Sequence, residues 1–214
     1  SLLVDDRGAV WVGHFQAGLD YSLYQNGLFR TYAYPPQFNS ANLSIRSFVN
    51  RGPEKVIGSR DGLFYINEAT GIVKSFVKPV LTSDLILTIC FYEGEYYIGT
   101  YGGGMMVLNP QTLSLKYFTQ GDTELFQKGH IFCVKPDNRG NLWIGTSQGL
   151  FCYNGQTKQI KNFTSTNSQL PEGNVYEVSF DSTGKGWIAT ETGMCIYDPA
   201  SQSLRSNVFP EGFV

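Results

Sequence analysis

Charge is scarce in this sequence. Lys, Arg, Asp and Glu make up 16% of 214 residues, against about a quarter of an average globular chain. The two signs nearly cancel, at a net −2, so there is no basic footprint and nucleic acid is excluded as a partner. No apolar run approaches the roughly 18 residues that a membrane-crossing helix needs. Histidine is limited to His14 and His130. No His-x-x-x-His, no Ser-His-Asp order and no phosphate loop can be assembled, so neither a metal nor a cofactor is expected. The four cysteines, Cys90, Cys133, Cys152 and Cys195, include no Cys-x-x-Cys pair, which removes zinc and thioredoxin chemistry. All four lie in apolar segments. They read as buried thiols in preference to a disulfide, which would require an oxidising compartment. A signal peptide and an initiator Met are also missing, so the chain is expected to be a piece of something longer.

What is abundant is glycine and aromatics, 24 residues and 14% respectively, a composition of many turns joining packed strands. The organising stretch runs from Asp137 to Tyr153. Asp137-Asn138-Arg139-Gly140 is turn chemistry, Leu142-Trp143-Ile144 is a buried strand, Gly149 allows a reversal, and Leu150 opens another strand. The same shape recurs around Val10-Trp11-Val12-Gly13, Val56-Ile57-Gly58, Tyr97-Ile98-Gly99 and Trp187-Ile188-Ala189. The glycine of the pattern falls at 13, 58, 99 and 145, with Ala189 last, so the intervals are 45, 41, 46 and 44 residues. Repeats of roughly 40–50 residues, each made of four short strands, are the signature of β-propeller blades.

The sequence therefore predicts an all-β fold, one β-propeller segment over 1–214 made of four-stranded antiparallel blades. Its five repeats are placed at approximately 1–34, 43–78, 84–119, 129–165 and 173–209. Both ends fall inside the first strand of a repeat, so five repeats are expected to be part of a larger ring. If the strands of each repeat are called a to d, the b–c and d–a connections emerge on one face. The a–b and c–d turns emerge on the other. The second face repeats Asp, Asn, Gly and Pro because turns demand them; the first varies, and variation is where function tends to lie.

These repeats resemble the two-component regulator propeller repeat, whose pattern is roughly Asp-x-x-Gly-x-Leu-Trp-hydrophobic-Gly-Thr-x-x-Gly-Leu-x-x-Tyr-Asp. Asp137–Asn154 matches nearly every position. Asp181–Asp198 matches with Gly186, Ala189 and Met194 as replacements, and Asp5–Tyr21 carries His14 in place of Thr. The second and third repeats lack Asp-x-x-Gly and Trp and are recognised by spacing. The resemblance implies a segment of a seven-bladed propeller in the periplasmic part of a membrane-anchored hybrid sensor. A histidine kinase elsewhere in the full chain would receive its signal. It further implies an oligosaccharide ligand, neighbouring blades of the same chain as partners, a homodimeric full-length sensor, and no catalysis by this segment.

The first face carries the candidate binding chemistry. There the b–c turns offer His14, Gln16, Arg60, Asp61, Tyr101, Gln148 and Glu191, and the starts of strands a add Arg46 and His130. Arginine can hold a carboxylate or sulfate bidentately and tyrosine can cover a sugar ring, so an acidic oligosaccharide suits the set. Two alternatives stand beside this reading: a propeller lyase using His14 and His130 as base and acid, and a protein-docking propeller with no small ligand.

Overall fold

The computed structural model describes residues 2–5, 9–13, 19–22, 29–32, 44–121 and 123–206. Among these residues, twenty strands form five four-stranded antiparallel sheets, each with its strands in chain order from one edge to the other. The backbone falls into two compact units, Ser1–Ile89 and Cys90–Val214.

The first unit holds two complete sheets. One is β1 (Leu2–Val4), β2 (Val10–Gly13), β3 (Leu19–Ser22) and β4 (Phe29–Tyr32); the other is β5 (Ile45–Arg51), β6 (Glu54–Ser59), β7 (Gly62–Asn67) and β8 (Ile72–Phe76). Ala9, Trp11, Ile45, Ile57 and Phe64 form the core of this unit. The third sheet is β9 (Ile86–Tyr92), β10 (Glu95–Thr100), β11 (Met105–Leu108) and β12 (Leu115–Tyr117), with the unit boundary inside β9.

In the second unit a six-residue helix, α1 (Thr123–Lys128), precedes β13 (Ile131–Pro136), β14 (Asn141–Thr146), β15 (Gly149–Asn154) and β16 (Ile160–Phe163). The last sheet is β17 (Val175–Phe180), β18 (Gly186–Thr190), β19 (Met194–Asp198) and β20 (Ser203–Ser206). The second strand Asn141–Thr146 is buried at nearly every position because sheets cover both of its faces. One core gathers Tyr92, Tyr97, Phe118, Phe126, Leu142 and Phe151; another gathers Trp143, Phe163, Val175, Val178 and Ile188. Trp143 lies 4.5 Å from the Tyr197 ring and 5.9 Å from Phe180, so the repeat tryptophan is the bolt between successive sheets.

The repeated Asp is a local clamp. Asp137 Oδ1 accepts the amides of Arg139 and Asn141 at 2.9 and 2.8 Å, while Oδ2 accepts the Trp143 indole N–H at 2.9 Å. One carboxylate thus satisfies a turn and orients the tryptophan six residues on. Asp181 repeats the arrangement with Thr183, Lys185 and Trp187. In the first sheet the clamp is Asp5, which takes Ala9 N–H at 2.9 Å and Trp11 Nε1–H at 3.1 Å. The sheets that lack this Asp turn more tightly. Glu93 and Gly94, at φ 47° and 84°, make the two-residue reversal that a right-twisted hairpin prefers.

A second clamp closes the b–c turns of the last four sheets. Thr146 Oγ1 donates to Gly149 O at 2.8 Å and accepts Gln148 N–H at 3.0 Å, and Ser59, Thr100 and Thr190 do the equivalent. The repeat glycine before it has a steric cause. A Cβ on Gly145 would lie 2.5 Å from Cys133 Sγ and 2.7 Å from the Val175 carbonyl of the next sheet. All four cysteines are free thiols, three of them buried.

Candidate functional site

Antiparallel order brings each b–c turn beside the start of its own strand a. The link is a repeated backbone bond: Arg60 N–H to Ser44 O, Ser147 N–H to His130 O, and Glu191 N–H to Asn174 O, at 3.1, 3.2 and 2.9 Å. The first strands of these three sheets, β5, β13 and β17, then carry an irregularity. Pairing runs from Ile45 to Ser47, from Ile131 to Cys133 and from Val175 to Glu177 across a single step of the partner strand. The extra residues are Arg46, Phe132 and Tyr176. Such bulges turn a side chain out of the pleat, and they recur next to binding sites.

In the second unit these devices assemble a row of four rings. Tyr101 stacks on His130 with centroids 4.0 Å apart and planes at 29°. His130 faces Phe132 at 6.2 Å, and Phe132 meets Tyr176 edge-on at 5.1 Å. Tyr101 is 50% and Tyr176 45% exposed, so the ends of the row reach solvent, while His130 and Phe132 are half-buried. Nδ1 of His130 is enclosed and has no hydrogen-bond partner among the described residues, so stacking holds the ring. Gly102, at φ 77°, supplies the left-handed backbone with which the turn passes the imidazole. At the Tyr176 end the row becomes polar. Asn174 Nδ2 donates to the Tyr176 hydroxyl at 3.1 Å, and Glu191 Oε2 accepts the Asn174 N–H at 3.2 Å.

The sequence-derived site residues fall into three groups. Tyr101 and His130 touch, and Glu191 is joined to the same row through Asn174. Gln148 is an exposed b–c residue of the fourth sheet. In the first unit, Arg46 is an exposed bulge residue and Arg60 and Asp61 are exposed on their turn. His14 and Gln16 lie outside the described residues. Phe132, Asn174 and Tyr176 went unrecognised in the sequence. Their signal was legible as matched triplets, His130-Ile131-Phe132 and Asn174-Val175-Tyr176, in which two outward residues flank a buried one.

The opposite end of the strands is occupied by structure. Asn67, Asn109 and Asn154 each accept two backbone N–H groups of their own c–d turn through Oδ1, and Asp198 accepts that of Ala200. A cleft of about 680 Å³ in the first unit is lined by Asp5, Asn50, Arg51, Glu54 and Asn67, among others. Three of those are already spent: Asp5 clamps Trp11, Asn67 holds its turn, and Glu54 Oε1 accepts the Tyr65 hydroxyl. Among the described residues no three His, Cys, Asp or Glu converge to hold a metal, and no helix is long and apolar enough to cross a membrane.

Four-stranded antiparallel sheets with their strands in a–d order are the blades of a β-propeller fold. Residues 126–148 match the family model described as "Two component regulator propeller". No curated protein matches the chain by sequence. Among solved structures it is similar to the extracellular domain of the hybrid two component system BT3049 from B. thetaiotaomicron, at 26% identity and a TM-score of 0.72, covering 94% of this chain and 27% of that one. The corresponding domain of BT4673 from the same organism is similar at 18% identity and a TM-score of 0.69, over 99% of this chain and 33% of that one. PorZ, a surface component of the type-IX secretion system of Porphyromonas gingivalis, shares the fold at 16% identity and a TM-score of 0.71, over 91% of this chain and 31% of its own. The chain spans only about a third or less of the length of these structures.

Proposed function

We propose that this chain is the ligand-recognising part of an extracytoplasmic sensor, periplasmic in a membrane-anchored protein, and that its b–c face receives an oligosaccharide whose binding is relayed to a kinase elsewhere in the full protein. The observation that carries the reading is the row Tyr101, His130, Phe132 and Tyr176. Aromatic rings on a soluble protein normally fill cores; a row that stays open to solvent, with amide and carboxylate groups at one end, has the composition of a sugar-binding platform. Similarity to extracellular domains of hybrid two-component systems supports the setting. On the opposite face Asn67, Asn109, Asn154 and Asp198 instead hold their own turns.

An enzyme is disfavoured by the chemistry at the site. His130 is wedged between rings, and among the described residues its Nδ1 has no hydrogen-bond partner to orient it as general acid–base catalysis requires. The test is a signalling assay in the intact sensor. Tyr101→Ala and Arg60→Ala should weaken the response to the inducing oligosaccharide, and Asn138→Ala and Gln156→Ala should leave it unchanged. Loss of response on the second pair with retention on the first would place the working face at the wrong end.

A further inference from the structure

We infer that the ring row of the second unit takes a neutral oligosaccharide and rejects anionic ones, with Phe132 and Tyr176 as specificity-determining contacts and Glu191 as the group that excludes negative charge. This rests on the sensor reading above and sharpens it, because a chain carrying both Arg and Tyr on its b–c turns left the ligand's charge open.

Three features of the row lead to this. The first is what binds. Tyr101 and Tyr176 are half-exposed rings at the two ends of the row, held by His130 and Phe132 between them at centroid spacings of 4.0, 6.2 and 5.1 Å. The open part of each end ring can cover the apolar face of a sugar, a contact indifferent to charge. The second is the polar end. Asn174 spends one Nδ2 hydrogen on the Tyr176 hydroxyl, and its backbone N–H goes to Glu191. A carboxylate fixed this way accepts hydroxyl hydrogens and repels a uronate or sulfate at the same spot. The third is the charge that the second unit itself brings to this end of its strands: Glu172 and Glu191 flank Asn174, and Glu177 follows Tyr176 and pairs with Lys135 at 3.3 Å. Lys128, exposed at the end of α1, is a point charge on a flexible stem and cannot grip a carboxylate as a guanidinium does.

Position matters as much as composition. Phe132 and Tyr176 are the bulged residues of their strands, so their direction is set by backbone pairing and not by side-chain packing alone. Ring orientation is therefore built in before ligand arrives, which limits the ordering cost of binding.

The experiment is calorimetric titration of the intact protein with two probe sets of matched length: neutral β-linked gluco-, xylo- and galacto-oligosaccharides, and oligogalacturonate with a sulfated disaccharide. Binding within the neutral set is expected, weakened roughly tenfold or more by Tyr176→Ala. Tyr176→Phe should cost less, since it keeps the ring and removes the hydroxyl that Asn174 holds. Glu191→Gln should admit oligogalacturonate, and Gln156→Ala should change nothing. Circular dichroism of each variant guards against a folding defect, and Tyr176 is exposed enough that its removal leaves the core intact. Binding of the anionic set alone, unaffected by Tyr176→Ala, would overturn this inference while sparing the sensor reading. Binding of neither set would overturn both.

Discussion

Replacing Gly145 by alanine adds one methyl group to the most crowded repeated position of the chain. Its ideal Cβ would lie 2.5 Å from Cys133 Sγ, 2.7 Å from Val175 O and 3.0 Å from Val175 Cγ1. The thiol can shift, but the Val175 carbonyl is backbone of β17 and can move only if the last sheet backs away. Separating the sheets would loosen Trp143 from Tyr197 and Phe180, so the strain spreads into the packing that joins them. Overpacking of this kind costs about 1–3 kcal/mol, and an obstacle made of main chain puts the cost near the top of that range. Alanine recovers about 0.4–1 kcal/mol by stiffening the unfolded chain, leaving a net loss of about 2 kcal/mol. Urea unfolding followed by tryptophan fluorescence should show the midpoint fall at an unchanged slope. Adding Cys133→Ala should rescue only part of the loss, because it removes the sulfur contact and leaves the carbonyl. A Gly145→Ala chain as stable as the parent, or one fully rescued by Cys133→Ala, would refute the steric reasoning.

The remaining expectations are local. Asp137→Ala should destabilise by about 2–3 kcal/mol, since it strips partners from the Trp143 indole and from two turn amides at once, and chemical denaturation will show it. Leu113→Gly should stabilise slightly or be neutral, because Leu113 sits at φ 53° where the equivalent turn residue of the second sheet is Gly71, and a thermal melt distinguishes the two outcomes. Alkali should unfold the chain early. Burial pushes the thiols of Cys90, Cys133 and Cys152 up from 9.0 to about 12, so the stability they contribute is fully present below about pH 9 and is lost as pH rises toward 12. Unfolding midpoints at pH 7, 9 and 10.5 test that sign.

Much of the fold could be read because the repeat is written in residues with single physical jobs. Gly145 and Gly58 mark where a neighbouring strand crowds in, Thr146 marks a turn clamp, and Asp137 announces Trp143 six residues ahead. In the first sheet two adjacent aspartates compete for that role, and the six-residue spacing to Trp11 selects Asp5. Helix α1 escaped notice because six residues are too few for a helical period to show. It is held by distant groups, Phe126 packing on Phe118 and Phe151, and Gly104 N–H bonding Gly129 O. The site was half legible. Tyr101 and His130 stood out as variable residues on a variable face, but Phe132 and Tyr176 sit where bulges break the strand alternation, and a bulge is a pairing event that sequence does not spell. Tyr92 does more than fill the core, since its hydroxyl donates to Gly140 O at 2.6 Å and accepts Gly155 N–H at 2.8 Å.

The central claim is that ligand lands on the b–c face, and hydrogen–deuterium exchange of the intact protein, with and without a saturating neutral oligosaccharide, tests it most directly. Slowed exchange at residues 101–104, 130–132 and 174–176, with residues 137–141 and 154–158 unchanged, is the predicted result. Protection confined to 137–141 and 154–158 would contradict it.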